Sequence, residues 1–154
     1  MVTTLYVVRH GHAVNSAPSD AERPLSEAGI AEVRQAAKHL AGVNPDVFLA
    51  SPYLRAQQTA EIIREAAEIS TVITTESGIT PDDHPAAVES LLADLSASTA
   101  LMVSHNPLVS ALVSWLVEGH FQGPYAMGTA SVACIDFENF GVGQGSLRWL
   151  NYTN

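Results

Sequence analysis

Several features that mark other classes of protein are scarce or missing in this 154-residue sequence. It has one cysteine, so no disulfide can form within the chain, and Cys134 lies in an apolar stretch typical of a buried, unreactive thiol. No segment approaches the roughly 20 consecutive apolar residues that span a bilayer. The first residues lack the basic and apolar pattern of a signal peptide. We therefore expect a cytoplasmic protein in a reducing compartment, without a membrane partner.

Positive charge is also scarce. Seven Lys and Arg residues stand against 16 Asp and Glu residues, which gives a net charge of -9. Such a balance argues against a nucleic-acid partner, because phosphate backbones are bound by basic surfaces. Arg9 and Arg55 need a specific explanation, since each lies among small and apolar residues near the end of a predicted strand. The other helix and loop cations are interpreted as solvated surface charges: Arg23, Arg34, Lys38 and Arg64.

Short apolar runs alternate with segments of helical periodicity. The runs predict strands at residues 5–8, 47–50, 71–75, 100–103, 130–137 and 146–150. Apolar stripes predict helices at 26–41, across 56–67, across 88–95 and at 107–117. Ser51-Pro52 and Asn106-Pro107 are predicted as the N-cap and first residue of the second and fourth helices. We therefore expect one α/β domain over residues 1–154, a three-layer sandwich with a mostly parallel, mixed six-stranded sheet and helices on both faces.

Polar and cationic side chains follow three of these strands. Residues 8–12 follow the first strand, residues 51–56 the second and residues 104–107 the fourth. In open α/β sheets the ligand lies at the carboxyl ends of the strands. If the three strands are neighbours, Arg9, His10, Arg55 and His105 meet at one edge, and Gly11 allows the backbone to turn tightly there.

Two arginines and two histidines near a helix N-terminus form an anion site. Guanidinium groups offer paired donors that match phosphate oxygens, and the helix end adds partial positive charge. A histidine among such cations is disfavoured in its charged form, which leaves a neutral nitrogen able to attack phosphorus. The residues therefore indicate phosphoryl transfer, a reaction that depends mainly on positioning and charge stabilisation.

Three blocks of the sequence resemble, in order and spacing, those of the histidine phosphatase superfamily, which includes the cofactor-dependent phosphoglycerate mutases. Residues 8–11 read Val-Arg-His-Gly and match its Arg-His-Gly signature. Residues 51–60 read Ser-Pro-Tyr-Leu-Arg-Ala-Gln-Gln-Thr-Ala and are similar to its second block, and residues 103–106 read Val-Ser-His-Asn, like its third. The resemblance covers roughly residues 1 to 117 and implies a phosphoglycerate mutase-like fold.

Carried over residue by residue, the resemblance implies a phosphatase with a covalent intermediate. His10 becomes the phosphorylated nucleophile, Arg9 and Arg55 bind phosphoryl oxygens, and His105 completes the pocket and stabilises charge in the transition state. The substrate-binding set that it implies is Arg9, Gly11, Arg55, His105 and Asn106. No metal and no organic cofactor is implied.

Within the superfamily the chain is most similar to the short phosphohistidine phosphatases of the SixA type. Its length is minimal, Ala13 stands where mutase-like members usually carry serine, and residues 23–26 read Arg-Pro-Leu-Ser as in the SixA pattern. This similarity implies a phosphohistidine-bearing protein as substrate. Two alternatives stay open: hydrolysis of a small phosphate ester, and a noncatalytic phosphate-binding regulatory module.

Two points are left open by the residues themselves. Mutase-like members supply a glutamate as general acid after the third strand, and the corresponding segment here offers only unaligned candidates: Glu76, Asp82 and Asp83. His12 and His10 could also contribute two zinc ligands, with His84 or His105 as a third. The two nearby arginines argue against a dication at this position.

Overall fold

The computed structural model describes residues 1–151, which form six strands and four α-helices. The strands are β1 (Thr4–Arg9), β2 (Val47–Ala50), β3 (Ile73–Thr75), β4 (Thr99–Ser104), β5 (Val132–Asp136) and β6 (Ser146–Asn151). The helices are α1 (Glu27–Ala37), α2 (Leu54–Ala66), α3 (Pro85–Ala93) and α4 (Leu108–Glu118). Single 3₁₀ turns lie at Asp20–Glu22 and Lys38–Leu40.

All six strands belong to one sheet, in the order β3-β2-β4-β1-β5-β6. β1 pairs in parallel with β4, β4 with β2, and β2 with β3. β5 runs antiparallel to β1, and β6 antiparallel to β5. The predicted mixed, mostly parallel sheet of six strands is therefore confirmed. Its order places β2, β4 and β1 side by side, which is the condition for the predicted site.

Two hydrophobic cores lie on opposite faces of the sheet. Along β1, Leu5 and Val7 face the core that α3 and α4 cover. Val8 faces the other core, which α1 and α2 cover. This division follows from the strand period of two, because successive side chains point to opposite faces. The predicted three-layer arrangement is confirmed, and Cys134 is fully buried in β5 as the sequence indicated.

The predicted starts of two helices are wrong. α2 begins at Leu54 rather than Pro52, because Tyr53 is still extended, and the hydroxyl of Ser51 contacts a histidine ring instead of capping the helix. α4 begins at Leu108, one residue later than predicted. Asn106 still supplies its amide oxygen to the N–H of Ser110 at 3.3 Å, so it satisfies an end group of α4 from outside the helix.

The other element boundaries differ by a few residues. The helix predicted at 26–41 is α1, capped by the hydroxyl of Ser26 accepting from the N–H of Gly29, and it ends in the 3₁₀ turn Lys38–Leu40. β3 is shorter than predicted. Within residues 1–151, no helix has both the length and the apolar character that crossing a membrane requires.

Candidate active site

The three chemistry-bearing segments leave neighbouring parallel strands at the same edge of the sheet. Arg9 is the last residue of β1, His105 follows β4, and Arg55 lies in the first turn of α2 after β2. The Nε of Arg55 lies 3.3 Å from Nε2 of His10. The ring centroids of His10 and His105 are 5.1 Å apart. The structure therefore brings the predicted residues together across a sequence separation of almost 100 residues.

His10 is held as a neutral ring with a defined tautomer. Its Nδ1 lies 2.7 Å from the carbonyl oxygen of Gly11, which can only accept, so Nδ1 carries the proton and Nε2 keeps its lone pair. Burial lowers the pKa of His10 to about 4, and the charges of Arg55 and Arg9 act in the same direction. At neutral pH this ring is uncharged, and its Nε2 accepts a hydrogen bond from the Nε–H of Arg55.

Arg55 is buried, with 5% of its surface exposed, and its guanidinium group is held from two sides. Its Nη1 donates to the carbonyl oxygen of Asp20 at 2.7 Å, and its Nη2 lies 3.2 Å from the carboxylate of Asp20. Its carbon lies 4.9 Å from the centroid of the Tyr53 ring. These contacts fix the plane of the guanidinium group next to the nucleophilic nitrogen of His10.

Asp20 is a residue that the sequence reasoning missed. It lies in the loop between β1 and α1, whose base is closed by a bridge between Ala13 and Leu25. Its carboxylate also pairs with Nη1 of Arg23 at 2.9 Å, and hydrogen bonds from Arg23 and Arg55 lower the pKa of Asp20. No periodicity or spacing in the sequence indicates a contact between an exposed loop carboxylate and a buried arginine that lies 35 residues further along the chain.

The interpretation of Arg23 as a solvated charge is wrong. Its Nε donates to the carbonyl of Val14 at 2.7 Å, its Nη1 pairs with Asp20, and only 27% of its side chain is exposed. Its charge contributes to lowering the pKa of His10. Arg23 is therefore part of the electropositive surroundings of the nucleophile, which a count of surface cations could not have revealed.

Arg9 reaches the same pocket from β1. Its Nη1 donates to the carbonyl of Met127 at 3.1 Å. Its Nε is buried and has no hydrogen-bond partner within residues 1–151. A buried guanidinium donor without an acceptor is costly, and an oxyanion in the pocket would satisfy it.

His105 has one engaged and one unengaged ring nitrogen. Its Nε2 lies 2.7 Å from the hydroxyl of Ser51, whereas Nδ1 is buried without a partner in the described part of the chain. The pKa of His105 is lowered to about 3, mainly by burial and in part by the neighbouring His10 and Arg55. His105 is therefore a neutral ring with a polar atom available to a ligand.

Gly11 and Asn106, which the resemblance assigned to substrate binding, have hydrogen-bond partners within the protein. The N–H of Gly11 donates to the hydroxyl of Thr59, and a Cβ at this position would lie 2.6 Å from Cγ2 of Val33. Close approach to α1, rather than an unusual φ, requires the glycine. Asn106 donates from Nδ2 to the carbonyl of Met127 at 2.7 Å and accepts from Ser110, so both ends of its amide hold the pocket wall.

The three predicted proton donors lie in the segment after β3, and two of them have partners of their own. The carboxylate of Glu76 accepts from the N–H of Gly78, and that of Asp83 accepts from the N–H and hydroxyl of Thr80. Asp82 is exposed. The carboxylate that contacts the cluster is that of Asp20, so the structure favours none of the three predicted acids.

The hydrogen-bond partner of the His12 ring lies outside this cluster. Its Nδ1 lies 2.8 Å from the hydroxyl of Ser26, and the ring is exposed. Among residues 1–151, the structure places no group of three or more histidine, cysteine, aspartate or glutamate side chains as a metal site. The zinc alternative therefore has no geometric support from His12.

Comparison with known proteins points to one family. Residues 5–78 match the histidine phosphatase superfamily (branch 1). The chain is 31% identical over 150 residues to the phosphohistidine phosphatase SixA of Escherichia coli, covering 94% of this chain and 91% of that protein. It is 32% identical over 124 residues to the SixA homolog of Haemophilus influenzae, covering 73% and 76% of the two chains.

Comparison of folds agrees with the sequence matches. The structure of the protein histidine phosphatase SixA complexed with tungstate superimposes with a TM-score of 0.87 at 30% identity. The superposition covers 97% of this chain and 96% of the other. The similarity therefore extends over the whole sheet and its helices, not only over the three sequence blocks.

Proposed function

Since the chain belongs to the histidine phosphatase superfamily, we propose that it is a phosphohistidine phosphatase that works through a phosphorylated His10. The observation that carries this proposal is the state of His10: Nδ1 is bonded to the Gly11 carbonyl, and Nε2 is neutral and 3.3 Å from a guanidinium nitrogen. Two similar proteins are named as the phosphohistidine phosphatase SixA and a homolog of it, which supports the same substrate class.

In the first step, the Nε–H of Arg55 turns from Nε2 of His10 to a phosphoryl oxygen, and the freed lone pair on Nε2 forms a bond to phosphorus while the bond between phosphorus and the substrate nitrogen breaks. Arg55 and Arg9 bind the phosphoryl oxygens and offset their charge. The Nδ1–H bond to the Gly11 carbonyl stabilises the positive charge that develops on the attacking ring. A substrate ring that carries a proton on its other nitrogen departs as neutral imidazole, so it needs less proton donation than an alkoxide, which fits a site without an assigned general acid.

In the second step, water attacks phosphorus and the bond to Nε2 breaks. Inorganic phosphate leaves, the proton lost by the water passes to phosphate or solvent, and His10 returns to its neutral state. The same guanidinium groups serve both steps, because the charge on the phosphoryl oxygens is similar in each. No bound cofactor takes part in this scheme.

The surroundings of the site support a substrate larger than phosphate. An open groove of about 750 Å³ has Asn106, Ser110, Phe121 and Tyr125 among its lining residues. The groove adjoins the site through Asn106, whose amide donates to the same Met127 carbonyl as Arg9 does. A groove of this size leaves room for the protein segment around a phosphorylated side chain.

Substrate preference tests the proposal directly. We expect purified protein to release phosphate from a phosphohistidine-bearing protein with a kcat/KM at least about tenfold above that on sugar, nucleotide or glycerate phosphates, because the imidazole leaving group needs less proton donation than an alkoxide. Release is measured with each substrate at matched concentration, with His10→Ala as the blank. Preference for a small ester would replace the substrate assignment, and phosphate binding without any turnover would favour the noncatalytic module.

The pH dependence of activity should have no acid limb near the ordinary histidine pKa. With a pKa of about 4, His10 stays unprotonated on Nε2 between about pH 5 and 8. A histidine with the ordinary pKa of about 6.5 would be protonated there below that pH and would lose its lone pair. We expect kcat/KM, corrected for ionisation of the substrate, to be level over that range and to fall only near pH 4. A limb centred near 6.5 contradicts the neutral state of this ring.

The lowered pKa values of His10 and His105 also determine how the stability of the fold changes in acid. The folded protein keeps His10 and His105 neutral down to about 4 and 3, whereas the unfolded chain protonates histidine near about 6.5. Below 6.5 the unfolded chain therefore binds more protons, and the free energy of unfolding falls as the pH falls towards 4. The activity profile is accordingly accompanied by circular dichroism at each pH, so that unfolding is not mistaken for titration of the nucleophile.

A further inference from the structure

Ser51 is a fully buried hydroxyl that the proposed mechanism does not use. It follows β2 directly, and its Oγ lies 2.7 Å from Nε2 of His105. The N–H of Tyr53 approaches the same oxygen at 3.4 Å. The hydroxyl is therefore placed between a backbone donor and a ring nitrogen, at the rear of the proposed phosphoryl pocket.

The direction of the bond between Ser51 and His105 follows from counting donors and acceptors. A hydroxyl carries one proton and can accept two hydrogen bonds. The Tyr53 N–H can only donate, so it points at a lone pair of Oγ. If Nε2 of His105 also donated, the Ser51 proton would have no acceptor among residues 1–151, and a buried unpaired donor costs about 1–3 kcal/mol. The Nδ1 lone pair of His105 would be unpaired as well, whereas with Ser51 donating to an unprotonated Nε2 only the Nδ1–H group lacks a partner among these residues.

The tautomer of His105 is then decided. The pKa of this ring lies at about 3, so at neutral pH it carries a single proton. With Nε2 accepting from Ser51, that proton is on Nδ1. Nδ1 is buried and has no acceptor within the described residues, in a ring whose centroid lies 5.1 Å from that of His10. This unpaired donor is the feature that a phosphoryl oxygen would satisfy.

We propose that Ser51 is a positioning residue that holds His105 in the Nδ1–H tautomer, so that this ring donates a hydrogen bond to the phosphoryl group. The role rests on the proposed phosphoryl transfer at His10 and deepens it. Without Ser51, the ring can carry its proton on Nε2 instead, and Nδ1 then turns a lone pair towards the anion. Such an arrangement repels a phosphoryl oxygen rather than binding it.

Ring nitrogen chemical shifts measure the tautomer without any turnover. Long-range ¹H–¹⁵N correlation spectra of the ligand-free wild type are expected to show His105 protonated at Nδ1, with a shift of that nitrogen on addition of inorganic phosphate. Ser51→Ala is expected to move the proton to Nε2 in part or completely. Ser51→Thr keeps the hydroxyl and is expected to retain the wild-type tautomer. A wild-type ring protonated at Nε2 overturns the proposal even if Ser51→Ala does not fold.

Kinetics separate a positioning role from a merely structural one. Ser51→Ala is expected to lower kcat about 10- to 100-fold with a smaller change in KM, because the lost donor matters most as charge develops. Ser131→Ala is the matched control, since Ser131 is equally buried and its hydroxyl has no partner within residues 1–151. Unchanged kcat in Ser51→Ala, or an equal loss in Ser131→Ala, contradicts the proposal. If the wild type shows the tautomer and the phosphate shift but no turnover, the proposed function fails while the inference about Ser51 stands.

Discussion

Replacing His10 by alanine is expected to lower kcat by about four orders of magnitude or more, because the bond to phosphorus has no other partner at this position. Two hydrogen bonds orient the ring: Nδ1–H donates to the Gly11 carbonyl, and Nε2 accepts from the Nε–H of Arg55. In the alanine variant, a water molecule that attacked phosphorus directly would lack the fixed orientation of the imidazole ring. That orientation supplies much of the rate of such a step.

The covalent intermediate distinguishes this expectation from simple loss of binding. Wild-type protein mixed with a ³²P-labelled substrate and quenched in base should retain a label that acid removes, as the phosphorus–nitrogen bond requires. His10→Ala should retain none. His39→Ala is the matched control, because His39 is exposed on the 3₁₀ turn after α1 and packs near Trp149. Activity in His10→Ala within tenfold of the wild type would falsify the nucleophile assignment.

Replacing Arg55 by lysine is expected to lower kcat about 100- to 1,000-fold although the charge is kept. Lysine offers a single ammonium group in place of a planar fork. It cannot place one donor 3.3 Å from Nε2 of His10 while two others engage Asp20. The loss should therefore appear both in kcat and in the affinity for inorganic phosphate, measured by competitive inhibition.

The control for Arg55→Lys is Arg34→Lys on the exposed face of α1, which should leave both constants unchanged. Arg55 is almost fully buried, so thermal unfolding of each variant shows whether the fold is retained. If folded Arg55→Lys keeps kcat within about threefold of the wild type, a point charge suffices and the paired donors are not needed.

The sheet and its helices could be predicted because they depend on local patterns. Strands such as β2 are short β-branched or apolar runs, and stripes such as Ala56, Ala60 and Ile63 repeat at the helical period. The details of helix starts could not be predicted in the same way. Ser51 has the residue type of an N-cap, but its hydroxyl contacts His105, which lies 54 residues away. Tertiary contact overrode the local preference.

The residues of the site also fall into those that local sequence predicts and those that only tertiary contacts bring in. Residue type and position at strand ends were enough to group Arg9, His10 and Arg55 as a candidate phosphate site. Asp20 and Arg23 escaped this reasoning because an aspartate and an arginine in a loop have no periodicity. Their contribution depends on the closed base of the loop at Ala13 and on the reach of the buried Arg55.

By itself the sequence determined the alternation of strands and helices and the kinds of side chain that follow strands β1, β2 and β4. These are properties of neighbouring residues, since burial imposes periods of two and 3.6 on any chain that folds into sheets and helices. Only the tertiary structure decided which nitrogen of His10 carries the proton, which atoms hold Arg55, and that Nδ1 of His105 is left unpaired. Those properties depend on distances between residues far apart in the chain, which local periodicity does not encode.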